Sequence, residues 1–292
     1  MKLTNIIIKM NKHVLITNFK QYIDDNKTEF IKKDSKSIRV LTYNVHNWSN
    51  CDNVNKFDEI FDVIAESGAD IVGLNEATFF TSKSRKDFDS ALAGSKYKYM
   101  EMCNGRYGIN IILSVYPFIS KKVICLGRDP IKKENRYALK CCFDIGSTQH
   151  SIGKVSSLNI VLTHLDVYDE SEDTRLEQIK MIIGEIDTEF IIIGDLNSLR
   201  KNDYSKEQLS CLISNDKKRG VDIQNKVTKF IETNGFVDSF VLLDKDCPTI
   251  SVWSMRRVDF IFVGISFPYK VINSNIYHTN KSDHLPIYID IQ

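Results

Sequence analysis

The feature that most constrains the fold of this chain is a set of short apolar runs that each end at a polar residue. The clearest is FIIIGDLNS at residues 190–198, where the apolar residues lead into Gly194 and Asp195, with Asn197 and Ser198 close behind. A short apolar run bounded by turn-forming residues predicts a buried strand, so Asp195 and Asn197 should lie where that strand leaves the core. Open α/β sheets bind ligands at such strand ends. A single segment of this kind is weak evidence for a functional site, because Gly, Asp, Asn and Ser are also the commonest turn formers.

Further segments repeat this arrangement along the chain. IVLTH ends at His164, RRVDFIFV carries Asp259 beside an apolar run, and SDHLPIYIDI opens with Asp283 and His284. Two more strand-like segments, RVLTYN and DIVGLN, end at or run into polar residues in the same way. Polar groups at several strand ends indicate one shared site, and its candidate side chains are Asn44, Glu76, His164, Asp195, Asn197, Asp259, Asp283 and His284.

In this order and context the set resembles the endonuclease/exonuclease/phosphatase superfamily. Its members are metal-dependent phosphoesterases, among them abasic-site endonucleases, deoxyribonuclease-type enzymes, deadenylases, neutral sphingomyelinases and inositol phosphatases. The resemblance covers residues 38–292, with motifs spread from end to end. It implies an α/β fold, a four-layer sandwich of two packed mixed β-sheets flanked by helices, where pattern alone predicts only mixed α and β.

The chain divides into two parts. Residues 1–37 are rich in Lys and Asn and show little periodicity, so we expect an N-terminal appendage outside the catalytic domain at 38–292. Within the domain, helical spacing of apolar residues predicts a helix over 54–67, and residues 97–162 show the short runs typical of consecutive antiparallel strands.

A further helix should follow the strand that ends at His164. Thr174 and Glu177 have the spacing of a capping box at its start. Arg175 and Gln178 share one face, and the pair resembles an Arg-x-x-Gln that, in the family, holds this strand and helix together. A solvated helix face is the alternative interpretation.

Composition is that of an ordinary globular protein, with 42% hydrophobic and 26% charged residues in 292. The formal net charge of +1 gives no overall basic field, so attraction to nucleic acid would need a local patch. Candidate patches are the Lys/Arg clusters at 83–86, 217–219 and 256–257, although such runs are more often solvated faces.

The seven cysteines include no CxxC pair, so we expect reduced core thiols rather than a zinc site. No apolar run approaches the roughly 20 residues that span a bilayer, and no stable membrane insertion is expected. Lys9 and Asn11 interrupt the short apolar segment near the N-terminus, which argues against a secretory signal. These features predict an intracellular protein, cytoplasmic or nuclear, or in the host cytosol if the source is viral.

The resemblance implies a metal site. Glu76 would be the main ligand, with Asp283 and Asn44 contributing. Mg²⁺ prefers hard oxygen ligands and keeps several of its waters, so few protein carboxylates are needed. The expected cofactor is therefore Mg²⁺, with Mn²⁺ as the alternative; for Glu76 a loop cap or a Lys partner is the competing interpretation.

The resemblance also assigns catalytic roles. Asp195 would orient or deprotonate the attacking water. Asn197, two residues on in an extended segment, would point the same way and donate to the phosphate, which His164 would also bind. His284 would contact the scissile phosphate, and Asp259 would accept a hydrogen bond from it. A carboxylate partner fixes the imidazole tautomer and favours the cationic form. Asn44 would position either metal-bound water or a neighbouring side chain.

Three residues are candidates for substrate binding. Arg136 and Tyr107 precede strand-like runs where relatives place substrate-facing groups, and Arg257 belongs to one of the basic clusters. The competing interpretation is a surface arginine for Arg136 and a half-buried ring for Tyr107.

Differences between this chain and the family's motifs narrow the range of substrate classes. Abasic-site endonucleases carry an aspartate where this chain has His46, which puts one metal contact in doubt. Asn75 replaces the usual Gln before the metal-binding Glu and keeps an amide. The segment RRVD at 256–259 differs from the Trp-Cys-Asp-Arg of inositol 5-phosphatases and argues against that substrate class.

The main hypothesis is a divalent-metal-dependent phosphodiester hydrolase acting on nucleic acid, a nuclease. One alternative is a phosphomonoesterase or a sphingomyelinase-type lipid phosphodiesterase, although no amphipathic membrane helix is evident. Another is an inactive binding module of the same fold, which the cluster of mutually repelling carboxylates argues against.

Overall fold

The computed structural model describes residues 2–103, 108–128, 131, 133–146, 156–169, 171–217 and 224–292. The helices are α1 (Lys2–Asp25), α2 (Phe57–Glu66), α3 (Ser82–Ala93), α4 (Asp173–Ile183), α5 (Lys206–Lys217), α6 (Lys226–Thr233) and α7 (Ser239–Leu242), with 3-10 turns at His46–Trp48 and Lys201–Asp203. The strands are β1 (Ile38–Asn44), β2 (Ile71–Asn75), β3 (Tyr99–Cys103), β4 (Asn110–Ser114), β5 (Phe118–Arg128), β6 (Asn135–Asp144), β7 (Ser157–His164), β8 (Phe190–Asp195), β9 (Phe236–Asp238), β10 (Asp259–Gly264), β11 (Val271–Ile276) and β12 (Ile287–Ile291).

The strands form two six-stranded mixed sheets, in the orders β11-β12-β1-β2-β4-β3 and β5-β6-β7-β8-β10-β9. Each contains one parallel pair, β1 with β2 and β7 with β8, and the other neighbours are antiparallel. The sheets pack face to face with helices on the outside, so the expected α/β sandwich is confirmed.

The core between the sheets is aliphatic and close-packed. Val40 and Ile71 of the first sheet share one buried cluster with Leu162 and Ile193 of the second. A Cβ on Gly73 would lie 2.7 Å from the Ile193 Cδ1, so this strand has no room for a side chain at the centre of the interface. Helices α2 and α3 cover the outside of the first sheet, and α4 and α6 cover the second.

Strand register brings the polar strand ends together. Asn44 pairs with Asn75 across β1 and β2, and His164 pairs with Asp195 across β7 and β8. Asp259 opens β10 directly opposite Asp195. The ends of five strands from both sheets therefore meet at one edge of the sandwich, as the sequence predicts.

Residues 1–37 include a helix that packs on the domain. Ile16, Phe19 and Ile23 of α1 form a cluster with Cys51 and Leu285, and Phe19 is fully buried. The appendage is thus docked rather than separate in space, while the domain boundary at residue 37 stays a prediction. Among the described residues, no helix is both long enough and apolar enough to cross a bilayer.

Two local predictions need correction. The capping box is wrong: α4 begins at Asp173, so Thr174 lies inside its first turn and its N–H donates to Asp169 Oδ2 at 2.5 Å. All seven cysteines are free thiols, but Cys125 and Cys211 are exposed rather than in the core.

Candidate active site

The first half of the site is built around the Asp195 carboxylate at the end of β8. Asn44 Nδ2 donates to Asp195 Oδ2 at 3.0 Å and lies 3.3 Å from Glu76 Oε1. His164 Nε2 lies 3.7 Å from both carboxylates. The predicted proximity of these residues, which come from both sheets, is therefore present in the structure.

The second half is a histidine held by a carboxylate. His284 Nδ1 lies 2.8 Å from Asp259 Oδ2, which also accepts a 2.7 Å hydrogen bond from Ser251 Oγ. The other ring nitrogen, Nε2, lies 3.8 Å from Asp195 Oδ2 and 3.9 Å from Asp283 Oδ1. Ser251 had no signal in the sequence, because nothing local distinguishes it from other loop serines.

The protonation states of this cluster are set by burial and by its opposing charges. Burial alone would lower the pKa of His284, but the neighbouring carboxylates of Asp259 and Asp283 raise it well above the ordinary value. Burial raises the pKa of Asp195 to about 7, with Asp259 adding to the shift and His284 opposing it. Burial and the positive charges of Arg136 and His284 lower the pKa of His164, so this ring is neutral. The site thus pairs a cationic with a neutral imidazole.

Asn197 lies beside Asp195 but differs from its predicted geometry. Its backbone N–H donates to Asp195 Oδ1 at 2.8 Å, and its Nδ2 donates to the Leu165 carbonyl at 3.2 Å. Its φ of 46° is left-handed, so the prediction of an extended segment here is wrong. The Leu165 carbonyl, just after β7, thus orients the side-chain amide. Its role as a hydrogen-bond donor to phosphate stays a prediction.

Asn75 makes a buried link beneath the candidate site that the sequence did not predict. Its buried amide donates to the Thr163 carbonyl at 3.1 Å and accepts from the Asp195 N–H at 3.1 Å, which joins the two sheets beneath the site. Gly194 allows this approach, because its φ is 131° and a Cβ there would lie 1.9 Å from the Thr163 oxygen. From the sequence, Asn75 stands out only as a residue that replaces the family's usual Gln and keeps its amide.

No family model matches the sequence. No curated protein matches it either. Solved structures do match. An endonuclease/exonuclease/phosphatase protein from Beutenbergia cavernae superposes with a TM-score of 0.63 at 20% identity, over 88% of this chain and 71% of that one. The human Nocturnin catalytic domain gives 0.62 at 16%, over 90% and 96%. The D. rerio TDP2 complex with a single-stranded DNA product gives 0.58 at 17%, over 89% and 100%.

The chain has the endonuclease/exonuclease/phosphatase fold. At these identities the likeness establishes the fold, and the chemistry has to be argued from the side chains of this chain.

Glu76 and Asp283 fit the metal site expected in an endonuclease/exonuclease/phosphatase fold. Glu76 lies at the edge of the site, with Asn47 Nδ2 3.4 Å from its Oε2. Asp283 Oδ1 is buried and makes no hydrogen bond, so one of its oxygens is available to a ligand. Carboxylate oxygens are the hard ligands that Mg²⁺ or Mn²⁺ prefers, so the chemistry of both residues suits such a cation.

A second group of side chains is close enough together to hold a cation, but its chemistry is less suited to one. Ligand atoms of Asp195, Asp259 and His284 all lie within 4.8 Å of one another. However, the 2.8 Å contact between His284 and Asp259 already occupies one ring nitrogen, and a cationic imidazole repels a metal ion. The assignment of Glu76 and Asp283 as the metal ligands stays a prediction.

His46, the departure from the abasic-site endonucleases, lies against Asp283. Its Nδ1 is 3.7 Å from Asp283 Oδ2 and 3.3 Å from the Ser49 carbonyl. Its φ is 44°, and Asn47 and Trp48 are also left-handed.

A cleft of about 340 Å³ adjoins the cluster, and its lining includes Glu76, His164, Arg136 and Tyr168. Arg136 therefore lies where a substrate-binding cation would be needed, and its role stays a prediction. Tyr107 lies outside the described residues.

Arg257 does not reach the site, and its prediction as a substrate contact is wrong. The side chain is fully buried, with Nη1 3.1 Å from Asp203 Oδ2 and Nη2 2.7 Å from Asp238 Oδ2. Its guanidinium also lies 4.3 Å from the centre of the Phe260 ring. Among the other basic clusters, Lys83 and Lys86 are exposed on α3, and the side chains at 217–219 lie outside the described residues.

Arg175 and Gln178 do hold strand and helix together. Arg175 Nη1 donates to the Asp166 carbonyl at 3.0 Å, and Gln178 Oε1 accepts from the Asp166 N–H at 2.8 Å. Both side chains are buried, so the interpretation as a solvated helix face is wrong.

Proposed function

We propose that this chain is a divalent-metal-dependent phosphodiesterase that hydrolyses nucleic acid. The observation that carries the proposal is the Asp195 carboxylate, held by Asn44 at 3.0 Å and flanked by two imidazoles at 3.7 and 3.8 Å. A base, a cationic donor and a neutral donor that converge on one point are the groups that phosphoester hydrolysis requires.

Asp195 serves as the base. Its raised pKa, about 7, places the carboxyl close to the working pH, where a general base is most effective. The hydrogen bonds from Asn44 and from the Asn197 N–H fix both of its oxygens, so the carboxylate is held in one orientation toward an attacking water.

His284 and His164 serve the phosphoryl group. Asp259 accepts from His284 Nδ1, which leaves the Nε2–H directed away from Asp259 and able to donate to a phosphoryl oxygen. His164 Nε2 lies 3.7 Å from Asp195, which indicates that this nitrogen carries the proton of the neutral ring and is a second donor. Both donors gain strength as negative charge develops on the phosphoryl oxygens.

Glu76 and Asp283 would hold the cation. When bound, Mg²⁺ or Mn²⁺ would offset phosphoryl charge and lower the pKa of a coordinated water. The chain supports these ligands with Asn44 and Asn47, which contact Glu76, and with His46, which lies against Asp283.

Nucleic acid is favoured as the substrate by two observations. Arg136 lines the cleft beside His164, where it could bind a phosphate next to the scissile one. A TDP2 of the same fold has been solved with a single-stranded DNA product.

The test is a panel of labelled single- and double-stranded DNA, abasic-site DNA and RNA, incubated with Mg²⁺, Mn²⁺ or EDTA. We expect cleavage of at least one nucleic acid that EDTA abolishes, and Glu76→Gln should lower the rate by about 100-fold or more because the metal is lost. Glu177→Gln, an exposed change on α4, is the matched control and should cleave normally. Intact nucleic acid throughout, with turnover of phosphomonoesters or sphingomyelin instead, would contradict the proposed substrate.

A further inference from the structure

Glu172 is a buried acidic residue in a strained backbone conformation. Only 4% of the residue is exposed, and its φ of 63° lies in the left-handed region. Such a conformation is costly for a residue with a Cβ and persists only where the surroundings impose it, which makes it a marker of functional segments. Sequence alone does not predict this burial, since Glu172 lies in the acidic stretch YDESED, which has the composition of a solvated turn.

Both carboxylate oxygens of Glu172 are used. Oε1 accepts from Ser198 Oγ at 2.8 Å, and Oε2 accepts from the backbone N–H of Lys226 at 2.8 Å. Lys226 is the first residue of α6, whose N-cap residue Asn225 makes no side-chain capping bond. The Glu172 carboxylate therefore supplies the cap from another segment, where the positive end of the helix dipole also favours it.

Ser198 connects this carboxylate to the candidate site. It follows Asn197, whose N–H donates to Asp195 Oδ1 at 2.8 Å, and it is only 2% exposed. The next residue, Leu199, has its carbonyl bound at 2.9 Å by Thr228 Oγ1 of α6. The segment 196–199 is thus tied to α6 twice, once directly and once through Glu172.

We propose that Glu172 is a positioning residue for the candidate site. Its carboxylate fixes Ser198 relative to α6 and so holds Asn197 in the left-handed conformation that directs its N–H to Asp195. Glu172 touches neither substrate nor metal in this scheme. The inference rests on the proposed function, because Asp195 and Asn197 are the groups that it positions.

The experiment compares Glu172→Ala, Ser198→Ala and the double variant, with Glu177→Ala, an exposed change on α4, as the control. Ala at position 172 removes both acceptor oxygens, so the Ser198 hydroxyl and the Lys226 N–H lose their shared partner. Amide hydrogen exchange should become faster at residues 197–199 and 226, while β8 and β10 exchange as in wild type.

Steady-state hydrolysis of bis(4-nitrophenyl) phosphate with Mg²⁺ is the second readout. We expect kcat to fall by about 10- to 100-fold in each single variant, as for small misplacements of a catalytic group, with KM changed less than about twofold. The double variant should be no slower than the slower of the two single variants, because both changes remove the same Glu172–Ser198 hydrogen bond.

Two results would overturn the inference. One is an unchanged kcat with faster exchange, which would make Glu172 a helix cap only. The other is uniformly faster exchange across both sheets, which would make it a general stability residue. If wild-type protein hydrolyses no phosphoester, the proposed function fails, and exchange at 197–199 still decides whether Glu172 holds this segment.

Discussion

Asp195→Asn is expected to slow hydrolysis strongly without unfolding the protein. The variant keeps the size of the side chain and can still accept from Asn44 or from the Asn197 N–H, but it cannot take a proton from water. General bases contribute about 10²- to 10⁴-fold, so kcat should fall within that range in single-turnover assays at saturating Mg²⁺.

The same variant should be more stable than wild type in the absence of metal. Burial raises the pKa of Asp195 from 3.8 to about 7, so between these values the folded state holds a proton that the unfolded state has released. Folding stability therefore falls as the pH rises through this window, and Asn has no such ionisation. In EDTA, the free energy of unfolding of the variant should exceed that of wild type increasingly from about pH 4 to pH 7. A variant with wild-type kcat would remove Asp195 from the mechanism, and a constant stability difference across this pH range would contradict its buried ionisation.

Arg257→Ala should destabilise the protein strongly, because the side chain is fully buried although the sequence suggests an exposed basic pair. It leaves Asp203 and Asp238 buried without their shared cation, and breaking one partner of a buried ion pair costs about 3–5 kcal/mol. Urea denaturation should report this loss of unfolding free energy.

Lys83→Ala is the control, because Lys83 is an exposed lysine of another predicted basic cluster and should change stability by less than about 0.5 kcal/mol. The buried geometry excludes Arg257 from substrate binding. If Arg257→Ala were as stable as wild type and its nucleic-acid binding depended less on salt, that conclusion would be contradicted.

The sequence predicted which polar residues cluster at this edge of the sandwich better than it predicted what surrounds them. The eight strand-end residues could be found because each follows or opens an apolar run, and a buried run fixes where its polar end must lie. Asp195, Asp259 and His164 meet because β8 lies between β7 and β10, a strand order that the sequence did not predict.

Errors arose where distant residues decide the local environment. Arg257 is buried because Asp203 and Asp238 surround it, 54 and 19 positions away, and no local pattern reveals this. The predicted Thr174 cap failed because Asp169, five residues earlier, takes the same N–H. Asn197 is left-handed where its N–H donates to Asp195 and its side chain donates to the Leu165 carbonyl, whereas alternation along the sequence predicts an extended strand end.

The most direct test of the proposed metal-dependent site is an anomalous difference map from crystals of the protein soaked in Mn²⁺. We expect a single strong peak within coordination distance of the Glu76 and Asp283 carboxylates, absent in Glu76→Gln crystals. A peak among Asp195, Asp259 and His284, or no peak anywhere in the cluster, would contradict the assignment of base, donor and metal ligands on which the proposed function depends.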